Sequence, residues 1–186
     1  VAKIFCVPYK LKRARRALNI MLNKLERKIK IIFKKRNLLQ TAFVHTSYVN
    51  EHRDEGLEDN ERLEFLGDAV LELVVTDFLY EKFVSSGEGE LTTLRSALVK
   101  GNHLAEVARS LGLGDYLLLS RGEEKSGGRD KNYILANTVE ALIGAIYLDS
   151  GFDVAHKFVD KFILTNLDKI VKGGLHIDAK SKLQEL

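Results

Sequence analysis

Two stretches of this chain, NERLEFLGDAVLELVVTDFLY (60–80) and YILANTVEALIGAIYLDSG (133–151), are apolar on nearly every side when wound as helices. A helix of that kind belongs in a core rather than on a surface, so the pair predicts a helical interior. Each stretch also carries polar oxygens on one face. Glu61, Glu64 and Asp68 follow i, i+3, i+7 spacing, and Asn137 lies three residues before Glu140. Like charges at that spacing repel, and a buried carboxylate without a partner is costly. If the two helices pack side by side, Glu64, Asp68, Asn137 and Glu140 converge into a cluster of hard oxygen donors. Such donors suit Mg²⁺ or Mn²⁺, and no His or Cys cluster offers a zinc site. A divalent cation would relieve the repulsion. For any one of these acids alone, a salt bridge is the plainer alternative. Asp77, Glu72 and Asp149 on the same helices read as surface acids.

The rest of the chain reads as helix as well. One proline, no tryptophan and little strand-type alternation in 186 residues predict an all-α chain with a single core. A first amphipathic helix is expected over about 9–33 and a second over 37–45, followed by a polar loop, SYVNEHRDEGLEDN. Asn60 is the expected N-cap of the first apolar helix, which SSGEGE closes. Two further helices are expected in LTTLRSALVKGNHLAEVARSLG, jointed at Gly101 and stopped at Gly112. LLLSRGEEKSGGRDKN reads as a mobile loop, and FDVAHKFVDKFILTNLDKIV as an amphipathic helix. The expected organisation is a basic extension over 1–20, a helical domain over 21–172 and a linker segment over 173–186.

A single cysteine, Cys6, cannot pair within the chain, which favours a reducing, cytoplasmic setting. No apolar run is long enough to span a bilayer. The net charge of +3 hides an asymmetry. Residues 1–36 hold 13 Lys and Arg against one acid, Glu26, and the remainder holds 16 basic against 25 acidic side chains. A basic arm on an acidic body fits a polyanionic partner, or simply a solvated helix. The acid-free first 25 residues leave both an organellar presequence and a basic leader open.

NERLEFLGDAVLEL resembles the central motif of the ribonuclease III family. FVHTSYVNE, GELTTLRSALVKGNHLA, LLLSRGEEKSGGR and ILANTVEALIGAIYLDSG follow in that family's order and spacing, over about 25–186. The resemblance implies an all-helical endonuclease domain that acts as a homodimer and hydrolyses double-stranded RNA with Mg²⁺, for which Mn²⁺ can substitute, and with no small-molecule cofactor. By motif match Glu64 and Asp68 fall on the first pair of metal-site acids and Glu140 on the last, with Asp68 and Glu140 the indispensable ones. Glu61 matches a further acid of the cleft, and Phe65 the aromatic that plugs into the partner subunit. Where many members have Asp, this chain has Asn137, which leaves the four-residue cluster at −3 rather than −4. Metal affinity should fall, while Glu64, Asp68 and Glu140 remain to sustain activity.

The same resemblance implies products with 5′ phosphates, 3′ hydroxyls and short 3′ overhangs, and roles in ribosomal-RNA processing and messenger turnover. Duplex RNA would be read by shape and phosphates, with Arg121, Lys125, Arg129 and Lys131 of the Gly-rich segment as contacts beside the basic arm. DAKSKLQEL resembles the opening of the double-stranded-RNA-binding domain that follows the nuclease domain in many relatives. Two competing readings are a catalytically impaired relative that binds structured RNA or a ribosome, which Asn137 favours, and an unrelated helical regulator with a metal-stabilised core.

Overall fold

The computed structural model describes residues 20–167, so the two chain ends, with the start of the first expected helix and the DAKSKLQEL segment, lie outside the described residues. Contacts divide the chain into two units, Val1–Ile32 and Phe33–Leu186. In the first unit, residues 20–29 form helix α1. Its Leu22, Leu25 and Ile29 recur at helical spacing opposite Lys24, Arg27 and Lys28. It stops where Lys30 turns left-handed, at φ 61°. That is earlier than position 33, because a lysine in that conformation cannot continue the helix.

The second unit is built from α2 (Arg36–Thr41), α3 (Thr46–Glu51), α4 (Glu61–Lys82), α5 (Glu88–Leu98), α6 (Gly101–Leu111), α7 (Arg121–Lys125), α8 (Asn132–Ser150) and α9 (Phe152–Phe162). The described residues contain no strand, only an isolated parallel bridge between Val44 and Leu118. The chain is all-α. α8 is the axis of this unit, packed against α4 most extensively and also against α6, α9 and α2. Leu135, Val139, Leu142, Ile143 and Ile146 are buried along it, as are Val70, Leu71, Val74 and Val75 of α4. Burial on several sides explains why both sequences lack a polar face.

The long helices begin and end near the positions read from the sequence, and Gly112 closes α6 at φ 66°, a left-handed stop that glycine adopts freely. The differences lie in the short elements. The second helix ends at Thr41 rather than at 45, and SYVNE, expected as loop, is α3. α3 starts because the His45 Nδ1 accepts the Ser47 N–H at 3.2 Å. GEGE does not close α4 but opens α5, with Glu88 and Glu90 in its first turn. Acids there are favoured by the helix dipole.

LLLSRGEEKSGGRDKN, expected as a mobile loop, is a fastened turn. Ser120 caps α7 by accepting the Glu123 N–H at 3.1 Å. The Arg129 guanidinium donates to Glu124 at 2.6 Å and to the carbonyls of Gly114 and Leu117 at 2.8 and 2.9 Å. Composition marks such a segment as polar, but these bonds, within it and to Gly114 just ahead of it, give it one structure.

Two polar residues hold the frame. Asn60 precedes α4 but does not cap it, because its buried side chain donates to the Ala42 carbonyl at 3.3 Å; the Glu61 N–H is met instead by Asp59 Oδ1 at 3.3 Å. Asp149, expected as a surface acid, is buried near the end of α8. It accepts the backbone N–H groups of Lys35 at 2.6 Å and Lys34 at 3.2 Å, just ahead of α2. α2 has no side-chain cap of its own, and this acid from far along the chain serves donors at its start.

Candidate active site

The site begins with two glycines. A β-carbon on Gly67 would lie 1.8 Å from the Glu140 carbonyl oxygen, and one on Gly144 would lie 2.2 Å from the Leu63 carbonyl oxygen. α4 and α8 therefore cross with their backbones in contact, closer than any side chain allows. Glu64 and Asp68 flank Gly67 on α4; Glu140 and, one turn earlier, Asn137 come from α8. The crossing sets the Glu140 turn of α8 against the Gly67 turn of α4, with Asp68 and Glu64 near enough to act electrostatically on Glu140, which periodicity within either helix could not establish.

Their electrostatics follow from that crowding. Burial, then the charges of Asp68 and Glu64, push the Glu140 carboxyl up to about 7. Burial raises Glu64 as well; the Asn137 side chain opposes this by hydrogen bonding to it, while Glu61, Asp68 and Asp59 push the same way as burial. Asp68 and Glu61 are exposed; Glu64, Asn137 and Glu140 are half-buried. Two half-buried carboxylates, Glu64 and Glu140, whose proton affinity is raised by burial and by the Asp68 charge, with an amide nearby, are a donor set matched to a small hard cation. As the side chains lie, no three His, Cys, Asp or Glu residues among those described close around one point, so the cluster is open. Oxygen donors of this kind would suit a small hard cation, and Glu64, Asp68, Asn137 and Glu140 are the residues that would hold one.

Other residues singled out by sequence take varied places. Phe65 stands on α4 with 83% of its surface exposed. Beside it opens a cleft of about 810 Å³ whose walls include Leu38, Leu63, Leu66 and Leu148. Arg121 is almost fully exposed, 3.5 Å from Glu51, and Lys125 is exposed. Arg129 is committed to Glu124 and two carbonyls, and Lys131 to Glu123 at 2.7 Å and Ser126 at 3.0 Å.

His45 escaped the sequence reading, although FVHTSYVNE contains it. Its Nδ1 accepts from Ser47, which leaves the proton on Nε2. Burial lowers its pKa, against the pull of Glu123, Glu61 and Asp59. Its own N–H bonds the Leu118 carbonyl, and the adjacent Val44 carbonyl accepts the Asn60 N–H at 2.9 Å. The segment thus ties the start of the acid-bearing α4 to the approach to α7. A histidine between an apolar helix and a polar loop was the available signal.

Comparison with known proteins adds to this geometry. The ribonuclease-III-like family profile matches residues 35–167. A ribonuclease 3 of Geobacillus sp. (strain WCH70) is 49% identical over 162 residues, covering 87% of this chain and 65% of the relative. That of Streptococcus agalactiae is 46% identical over 164 residues, covering 88% of this chain and 72% of the relative. The chain thus spans about 65% of the length of the Geobacillus relatives it matches. Among solved structures, the nuclease domain of ribonuclease III from Campylobacter jejuni superposes with a TM-score of 0.72 at 45% identity, over 77% of this chain and 96% of that one; its structure is described as flexible in a region involved in dimer formation. Dicer from Pichia stipitis aligns at 0.54 with 29% identity, over 74% of this chain and 58% of that one.

Proposed function

We propose, since this chain belongs to the ribonuclease III family, that it is a metal-dependent endonuclease that hydrolyses phosphodiester bonds of double-stranded RNA. The observation that supports the reading is the backbone contact at Gly67 and Gly144, which sets the helix that bears Glu64 and Asp68 against the helix that bears Glu140. When bound, a divalent cation supplies polarisation of a phosphoryl oxygen and a water of lowered pKa. The protein's own part is to hold the acids. Asp68 is exposed at the rim, while Glu140, half-buried and crowded by the charges of Asp68 and Glu64, would have its own charge compensated as a ligand of the cation. Glu64 and Asn137 complete the donor set, and Glu61 adds negative charge at the rim.

Duplex RNA is recognised by shape and phosphate charge. Arg121 and Lys125 are the cations of the α7 turn that face solvent most freely, while Arg129 and Lys131 shape the turn and contribute their charge from within it. A homodimer fits the exposed Phe65 beside its cleft: each ring would enter the other subunit's pocket, and two sites would cut the two strands. Attack of water on phosphorus with departure of the 3′ oxygen would give 5′ phosphates and 3′ hydroxyls, and the offset of the two sites would give short 3′ overhangs. Precursors of ribosomal RNA and structured messengers are the substrates proposed, in the cytoplasm.

The test is cleavage of a labelled RNA duplex with Mg²⁺ and with Mn²⁺. Wild type should cut and Glu140→Gln should lose activity by about 10³-fold or more, the size of effect expected when a charge-stabilising group is removed. Asn137 favours one competing reading, a non-cutting RNA scaffold. Wild type that binds duplex without cutting it, while Asn137→Asp cuts, would establish that reading instead.

A further inference from the structure

α8 is buried on most of its circumference, and what it leaves open forms one stripe. Between its first residue and Gly144, where the Leu63 carbonyl of α4 closes over it, the residues that reach solvent are Tyr133, Asn137 and Glu140. Their i, i+4, i+7 spacing puts them on one face. Tyr133 is the most open of the three, with 55% of its surface exposed. At about 1.5 Å of rise per residue it stands about 6 Å along the axis from Asn137 and about 10 Å from Glu140. Leu63 meets Gly144 and Gly67 meets Glu140, so α4 and α8 run antiparallel. Phe65 and its cleft, which Leu63 and Leu148 line, therefore flank the acids on one side and Tyr133 on the other. The turn that carries Arg129 packs on α8 just ahead of Tyr133, and helical side chains lean towards the start of their helix. Tyr133 thus stands between the acids and the cationic α7 segment.

We propose that Tyr133 is a substrate-contacting residue that reads ribose: its ring lies along the sugar edge of the duplex beside the cut, and its phenol hydrogen-bonds a 2′-hydroxyl there. The inference rests on the duplex-RNA reading above. A strand with one phosphate at Glu140 and others at Arg121 and Lys125 passes Tyr133 on the way. The group it meets is neutral, with acids on one side of it. A sugar hydroxyl suits that place better than a phosphate oxygen, because it carries no charge and both donates and accepts, as the phenol does. The wide, shallow minor groove of duplex RNA displays those hydroxyls, and tyrosine offers a flat apolar body with a polar tip. A 2′-deoxy sugar has nothing for that tip. Tyr133 therefore favours RNA over DNA beside the cut, without taking part in the bond change.

The experiment pairs protein variants with substrate variants. Wild type, Tyr133→Phe and Tyr133→Ala are compared in steady-state cleavage with Mg²⁺ of labelled duplexes that carry ribose throughout or single 2′-deoxy nucleotides flanking the cut. Binding of the same duplexes is read by fluorescence anisotropy in a Glu140→Gln background, where cleavage is expected to be lost. All three proteins should melt together, since the ring is exposed. Tyr133→Phe should raise KM about 3- to 10-fold, the effect of one neutral hydrogen bond, with kcat within about twofold. Tyr133→Ala should raise KM further, because the ring is lost as well. A 2′-deoxy sugar at the contacted position should weaken binding by the same factor when Tyr133 is present and leave the Phe variant's binding unchanged. A tyrosine that only packs, or that meets phosphate, gives equal 2′-deoxy penalties in the two proteins. That result, or an unchanged KM in both variants, overturns the proposal. If wild type binds duplex RNA without cutting it, the nuclease reading fails and the binding pairs still decide Tyr133. If it does not bind duplex RNA, both fall.

Discussion

Single residues in this molecule carry opposite protonation economies. For Asp149, burial alone pushes the carboxyl up, but the Lys35 N–H, the Ser150 hydroxyl, the Lys34 N–H and the Lys34 charge together bring it below 3.8. A lowered carboxylate contributes stability above its unfolded pKa and loses it as pH falls through the folded value. For Glu140 the sign reverses. Burial and its acidic neighbours raise it from 4.5 to about 7, so its contribution is present below 4.5 and is lost as pH rises through 7. In chelator, Asp149→Asn should lower stability by about 1–3 kcal/mol at neutral pH, with the gap closing below about pH 3.8. Glu140→Gln, expected to be dead in cleavage, should melt several °C above wild type at about pH 8, with that gap closing below about pH 4.5. Melting curves across pH read both, and two variants moving in the same direction at pH 8 would contradict the assignment. The positions of Glu64, Asp68 and Glu140 on two core helices were legible, because carboxylates at helical spacing in an apolar run stand out. Asn60, Asp149 and His45 were not, since what they do is fixed by bonds to backbone or side chains far along the chain.

At the scale of elements, the tightest constraint is the crossing of α4 and α8. Gly67→Ala must displace the Glu140 carbonyl, which helical backbone bonds hold in place, and should cost about 3 kcal/mol or more. Gly89 is the internal control. It lies in the first turn of α5 with open space where a β-carbon would go, so Gly89→Ala should stabilise by roughly 0.4–1 kcal/mol. Chemical denaturation of both proteins checks the contrast; equal effects would mean the close approach is not a constraint. Long helices were legible from period and from glycine stops. α3 and α7 were not, because helices of six and five residues do not persist on local propensity. They exist because Ser47 Oγ accepts the Ser120 N–H at 3.1 Å and Glu51 accepts the Arg121 N–H at 2.7 Å, fastening each to the other.

For the molecule as a whole, charge alone separates a basic leading segment from an acidic remainder, and contacts divide the chain after Ile32. The helix 20–29 is amphipathic enough to read as part of either unit. The proposed dimer makes the prediction at this scale. Phe65→Ala should leave the thermal midpoint of the protomer nearly unchanged, because the ring is 83% exposed. It should weaken self-association by at least about 30-fold, as loss of an aromatic anchor worth about 2 kcal/mol does. Sedimentation velocity over a concentration series measures this; unchanged association would move the interface elsewhere. The bond between Asp149 and Lys34 closes a separation of 115 residues, and Gly67 meets Glu140 across most of the same span. Contacts that remote in sequence form late, since loop entropy must be overcome before they contribute. During synthesis the first acids leave the ribosome long before α8 does. A nascent chain therefore carries the acids of α4 past the translation machinery's own RNA before Glu140 exists, and the proposed cutting centre becomes competent only once α8 has been made and docked.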